Sequence, residues 1–137
     1  MRNFDEYKIR RTVADVEGKC VIYLDVYSEN KDVANIFCVY TKEGRTLIVG
    51  NIWTLPEYRR KGLGLLRIQE TLKILEERNL QVERCLAADV EGNPQTEEAK
   101  KIAESFLESL GFERLVKYHW KADGETFKRK LEEKMQE

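Results

Sequence analysis

The sequence predicts an α+β domain, a mixed α/β layer of strands covered by helices, on three observations. The first half alternates apolar and polar residues with the two-residue period of strands. The second half switches to the three- and four-residue spacing of amphipathic helices. The links between the early strands are too short for crossover helices, so these strands form a hairpin meander. The resulting order is four strands, then helix, strand, helix, strand and helix, which is a layered domain. With 137 residues and an apolar fraction of 42%, the chain supplies a single domain, residues 1–137, with one core.

Each element has its own warrant. Tyr7 to Ala14 is β-prone but polar and reads as an edge strand. In Cys20 to Tyr27, Cys20, Ile22, Leu24 and Val26 share one face, while Val21, Tyr23, Asp25 and Tyr27 share the other, which is the pattern of a half-buried strand. Val33 to Tyr40 is almost continuously apolar and suits an interior strand. Lys42-Glu43-Gly44-Arg45 is a turn signal, and Thr46 to Trp53 is the next apolar strand. From Leu63 to Arg78, residues Leu65, Ile68, Leu72 and Leu75 form one helix face, with Asn79 at its end. Val82 to Val90 reads as a strand, joined to the Thr46 strand by a right-handed crossover if the two are parallel. Gly92-Asn93-Pro94 breaks the chain, and Pro94 suits a first helical position. Ala99, Ile102, Ala103, Phe106 and Leu110 make a second helical stripe, closed by Gly111. Phe112 to Trp120 reads as a last strand. A terminal helix over 125–136 then carries Phe127, Leu131 and Met135 along a narrow stripe, suited to docking on the body or on a second copy in a homodimer.

Composition narrows the function. Charged residues are 36% of the chain against a usual ~25%, yet 24 basic and 25 acidic residues leave a net charge of -1. That balance argues against nucleic acid as a partner, because such binding draws on a basic excess. No apolar run approaches the ~20 residues of a membrane span, and the start carries no signal-type segment, so the expected setting is cytoplasmic, with no membrane partner. Cys20, Cys38 and Cys85 are odd in number and not closely paired, which argues against a disulfide framework or a zinc site and for small apolar residues in strands. His119 is the only histidine, so no metal is expected. A Cys85–His119 nucleophilic pair is the covalent alternative, and nothing in the spacing brings the two together.

The stretch that carries chemistry runs from Asn51 to Gly64, out of an apolar strand, through a basic turn and into a helix. The first amides of a helix lack intrahelical acceptors, and the helix dipole makes that end positive. Gly62 and Gly64 let a ligand approach the backbone, and Arg59, Arg60 and Lys61 add side-chain charge. Together these make an anion site suited to a phosphate or pyrophosphate. A P-loop would need Gly-Lys-Ser/Thr, but Leu65 and Leu66 follow Gly64. A dinucleotide fingerprint would need a third glycine near Arg67, and there is none.

The segment Thr54-Leu55-Pro56-Glu57-Tyr58-Arg59-Arg60-Lys61-Gly62-Leu63-Gly64 resembles the signature of the GNAT superfamily of acyl-CoA N-acyltransferases, in which V-x-P-x-Y-R leads to Q/R-x-x-G-x-G/A at a helix start. Phe106 to Phe112, with Gly111-Phe112, is similar to that family's later Tyr-x-x-x-Gly-Phe pattern in spacing. The resemblance covers residues 46–120 well, which would be the coenzyme A-binding core, and the earlier part in outline. It implies a central, mostly antiparallel sheet with a splayed parallel strand pair, flanked by helices, with an extra C-terminal helix. The family usually places two helices between its first two strands. Here only Asp15 to Lys19 intervenes, so those helices are expected to be reduced or absent and the acceptor site open or completed by a partner, with the terminal helix as a substitute wall.

The resemblance implies an N-acetyltransferase or related N-acyltransferase, moving an acyl group directly from acetyl-CoA or another acyl-CoA to a small-molecule or protein amine, without a metal. Backbone amides of Arg60, Lys61, Gly62, Leu63, Gly64 and Leu65, with Arg59 beside them, would hold the pyrophosphate. The backbone of Ile52, Trp53 and Thr54 would pair with the pantetheine arm. A free lysine amine has a pKa of ~10.4 and must lose its proton before it attacks. Asn51 could position a water for this, and Asp89 and Glu57 are the nearby carboxylates. Leu107 stands where many relatives carry the acidic tyrosine, which leaves Tyr118 or water as the acid. Asn93 stands seven residues before Lys100, where relatives often carry an asparagine. The substituted tyrosine also admits a different class of protein, a non-catalytic coenzyme A-binding or protein-interaction module on the same fold. An assembly protein using the terminal helix is a third reading.

Overall fold

The computed structural model describes residues 3–88, 97–116 and 119–137. Four strands come first: β1 (Tyr7–Val16), β2 (Lys19–Ser28), β3 (Lys31–Thr41) and β4 (Thr46–Thr54). Then follow α1 (Leu63–Glu77), β5 (Arg84–Ala88), α2 (Glu97–Ser109), β6 (Glu113–Val116), β7 (His119–Asp123) and α3 (Gly124–Met135). Among the described residues, the strands form one seven-stranded sheet in the order β1-β2-β3-β4-β5-β7-β6. Every neighbouring pair is antiparallel except β4 and β5, which run parallel on either side of α1.

Two tight turns build the meander. Val16 pairs with Lys19 across Glu17 (φ 44°) and Gly18 (φ 78°). Ser28 pairs with Lys31 across Glu29 (φ 51°) and Asn30 (φ 64°). Positive φ at both central residues is the requirement of a hairpin turn whose twist matches its strands. The first turn leaves no room for helices between β1 and β2, as the sequence implies. The polar β1 is an edge strand and the apolar β3 lies inside the sheet, also as expected.

The core lies between one face of the sheet and the helices. Cys20, Ile22, Leu24, Ile36, Cys38, Tyr40, Leu47 and Val49 form one cluster with residues of α1, α2 and α3. Leu107 and Leu110 of α2 and Phe127 and Leu131 of α3 belong to it. The terminal helix therefore docks on the body, beside α1, and does not wall the opposite face. On that opposite face Val21, Tyr23, Val39, Ile48 and Leu86 are half-buried and Phe37 is exposed, and none of the described helices covers them.

Three boundaries differ from expectation. The strand read as Val82 to Val90 begins at Arg84, because the Glu83 amide is bonded to Arg45 and its carbonyl to Gly124, outside the ladder; residues 89 and 90 lie outside the described residues. The single strand read from Phe112 to Trp120 is instead a hairpin of β6 and β7. Doubling back buries Trp120 and Ala122 in the core and leaves β6 as the exposed second edge of the sheet. The helix break at Pro94 lies outside the described residues, and α2 is described from Glu97. Elsewhere the caps hold: Asn79 adopts φ 58° after α1 with Leu80 N–H bonded to the Leu75 carbonyl, and Gly111 adopts φ 88° after α2.

Candidate functional site

The strand β4 carries an extra residue. Val49 pairs with Cys38 and Ile52 with Ile36, so Gly50 and Asn51 together oppose Phe37. This is a β-bulge, which leaves an unpaired residue and bends the strand. Gly50 suits the close approach there, because a Cβ at that position would lie 3.0 Å from the Phe37 carbonyl oxygen. On its other side β4 pairs with β5 only from Thr46 to Val49, while β4 itself runs on to Thr54. Among the described residues, the β5-facing edge of β4 beyond Val49 has no partner strand. Among the described residues, the parallel pairing thus stops at the bulge.

The chain leaves β4 through a single tight helical turn, Pro56–Tyr58. Arg60 (φ 62°) and Gly62 (φ 81°) then take left-handed backbone conformations before α1 begins. The first helical bond runs from the Leu66 amide to the Gly62 carbonyl, 3.0 Å. Among the described residues no side chain caps α1, and no acidic residue sits in its first turn. Among the described residues, the backbone N–H groups from Arg60 through Leu65 have no protein acceptor. Six acceptor-free donors thus follow one another at the positive end of α1.

The basic side chains are not equivalent. Arg59 Nε donates back to the Thr54 carbonyl at 3.3 Å. Lys61 Nζ lies over the Tyr58 ring, 5.4 Å from its centre. Arg60 faces a cleft of about 520 Å³ that it lines with Glu98, Lys101, Ile102 and Ser105 of α2. Of the two glycines read as ligand-facing, Gly62 serves the turn by its positive φ. Gly64 serves helix packing as well, since a Cβ there would lie 2.9 Å from the Phe106 ring.

One residue of the site was not legible as such. Arg67 lies on the buried face of α1 and is only 2% exposed. Its Nε donates to the Leu63 carbonyl (3.0 Å), Nη1 to the carbonyls of Asn35 (2.5 Å) and Trp53 (2.7 Å), and Nη2 to Thr54 Oγ1 (2.7 Å). Burial pulls its pKa down to about 10. Thr71 Oγ1, one turn on, donates to the Arg67 carbonyl at 2.9 Å. Beside them, burial pushes the Cys38 thiol up to about 12, with Thr71 and the Gly50 backbone acting in the opposite direction.

The catalytic candidates fare differently. The backbone of Asn51 lies in the bulge, and its side chain is outside what is described. Asp89 and Tyr118 lie outside the described residues. Glu57 is solvent-exposed and 4.0 Å from Lys31. Leu107 is 2% exposed and part of the core, so no side chain reaches the cleft from its position. Cys85 and His119 form no pair: Cys85 is buried on the helix side of the sheet, and His119 is an exposed residue of β7 opposite Ala88. The three cysteines are buried and free. Among the described residues, no group of three or more His, Cys, Asp or Glu side chains could hold a metal, and no helix is long and apolar enough to cross a membrane.

No family model matches the sequence, and no curated protein matches it. Solved structures do match. The PaiA N-acetyltransferase of Thermoplasma acidophilum in complex with coenzyme A aligns over 75% of this chain with a TM-score of 0.57 at 15% identity, and the chain spans 60% of that enzyme's length. An acetyltransferase of the GNAT family from Staphylococcus aureus Mu50 aligns over 77% of this chain and 68% of its own, with a TM-score of 0.57 at 12% identity. An aminoglycoside acetyltransferase from an uncultured soil metagenomic sample aligns over 82% of this chain and 93% of its own, with a TM-score of 0.59 at 13% identity. Sheet order, the single parallel pair and these alignments agree: the chain has the fold of the GNAT N-acyltransferases.

Proposed function

We propose that this chain binds an acyl-coenzyme A, acetyl-CoA foremost, and transfers the acyl group to an amine. The run of amides from Arg60 to Leu65, acceptor-free among the described residues and next to an edge of β4 that is unpaired among them, carries the reading. The amides and the α1 dipole fit a pyrophosphate. The free edge at Ile52, Trp53 and Thr54 fits an amide-containing arm that adds to it like a strand. When bound, the coenzyme supplies the thioester. The chain's part is to hold it and to manage charge. A bulge amide at Gly50–Asn51 would donate to the oxyanion that develops when the amine attacks. Proton transfer from the amine falls to Asp89 or to a water held by Asn51, and protonation of the leaving thiolate to Tyr118. The acceptor, a small molecule or a protein, approaches from the uncovered sheet face, where Phe37 stands opposite the bulge. A single domain acting in the cytoplasm is part of this reading.

Thermal unfolding with and without acetyl-CoA tests it. A ligand at ~100 times its dissociation constant adds ~2.7 kcal/mol of stability. Absence of any shift at saturating acetyl-CoA would sink the proposal. Gly62→Glu is expected to abolish the shift, by placing a negative charge in the cradle.

The buried Leu107 favours a second reading, a coenzyme A-binding module without turnover. Binding of acetyl-CoA with no thiol release across a panel of amines and peptides would select it over the enzyme.

A further inference from the structure

Arg67 occupies a place where a leucine would serve α1 better. Leu63, Arg67, Thr71 and Leu75 form one row at four-residue spacing, and all four are buried. Burying a cation costs several kcal/mol unless an anion compensates it. Among the described residues none does: the partners of Arg67 there are three carbonyl oxygens and one hydroxyl. An aliphatic residue of similar length would fill the space without that penalty. What it could not supply is directed bonds to three elements at once. The guanidinium fork joins the first turn of α1, the interior of β3 and the last two residues of β4. Thr54 is gripped twice, its hydroxyl by Arg67 and its carbonyl by Arg59. Both ends of the turn over 55–62 are thereby fixed.

We propose that Arg67 is a positioning residue, a strut that sets the distance between the amide cradle of α1 and the free edge of β4. The inference rests on the coenzyme A reading of this site. A ligand that engages both parts gains from their being held in register, because the second contact is then intramolecular. A fragment that engages only the cradle gains nothing from the strut. The role asks for the fork and not for the charge, so lysine is not an adequate substitute.

The test measures binding of coenzyme A and of 3′-phosphoadenosine 5′-diphosphate, which keeps the diphosphate and lacks the pantetheine arm. The proteins are wild type, Arg67→Lys and Arg67→Met, with folding checked by circular dichroism. Both variants are expected to lose about tenfold in coenzyme A affinity while affinity for the fragment changes less than about threefold. Wild-type affinity for coenzyme A in either variant overturns the strut. A parallel loss for fragment and coenzyme A also overturns it, because the role would then be electrostatic. If neither variant folds, Thr54→Val removes one acceptor of the fork, and the same selective loss is expected at smaller amplitude. Unchanged coenzyme A affinity in Thr54→Val then overturns the inference. A wild type that binds coenzyme A while both variants keep its affinity refutes the strut alone, whereas a wild type that binds no coenzyme A refutes the coenzyme A reading and the strut with it.

Discussion

Gly124 begins α3 at a point where the backbone itself leaves no room: a Cβ there would lie within 2.9 Å of Glu83 carbonyl carbon and closer still to the Val82 carbonyl oxygen. Neither group can swing aside as a side chain would. Gly124→Ala is therefore expected to lower stability by about 3 kcal/mol or more, read from urea denaturation. Leu107→Tyr addresses the substituted family position. The side chain at 107 points into the core, so the new phenol is expected to cost about 1–3 kcal/mol by overpacking, with no gain in turnover. A rise in turnover would place that side chain in the cleft after all. At this scale the sequence was partly legible. The glycines, the basic run and the leucine at 107 were visible as residue types. Arg67 was not, because a search for apolar periodicity passes over a charged residue inside the stripe. The signal was present in the row Leu63, Arg67, Thr71 and Leu75, where a single cation interrupts otherwise buriable residues.

Among the elements, the hairpins were the most legible and the last strands the least. Short links force antiparallel neighbours whatever their composition, so β1 to β4 could be ordered from spacing alone. The β6–β7 reversal carries no glycine or proline between Val116 and His119 to announce it. Its register is set by Trp120 and Ala122 seeking the core, a tertiary cause that local pattern cannot show. The bulge in β4 is of the same kind, since only pairing with β3 reveals that Gly50 and Asn51 share one partner. The β2–β3 turn offers an element-scale test. Glu29 and Asn30 both hold positive φ, which side chains resist. Replacing the pair by Asn-Gly is expected to raise stability by about 1 kcal/mol, visible as a higher Tm. The α3 cap is another. Asp123 accepts from the Thr126 amide at 3.1 Å, so Asp123→Ala is expected to cost about 1 kcal/mol.

For the molecule as a whole, the buried thiols make one contribution to how it meets alkali, opposite in sign to that of the lowered Arg67. Burial raises both Cys38 and Cys85, so the folded protein keeps protons that the unfolded chain gives up near pH 9. When the unfolded state binds fewer protons than the folded one, stability falls as pH rises. Cys38, with its pKa at about 12, is expected to remove about 1.4 kcal/mol per pH unit between its ordinary value of 9 and that point. Urea denaturation of Cys38→Val across this window should show the slope reduced by that amount, and an unchanged slope counts against it.

The two-residue turns also govern time. From β1 to β4 every contact closes a loop no longer than one hairpin, since the widest gap is the four residues between Thr41 and Thr46. Short loops close first and at small entropic cost. The β4–β5 pair closes across α1, and β5 meets β7 only after α2 and β6 have been traversed. The meander can therefore assemble early, while the parallel β4–β5 pair beside the start of α1 waits for the slowest closure. With helices between β1 and β2, the first pairing would join that slow class; with Glu17 and Gly18 in their place, the edge strand arrives among the earliest parts to fold.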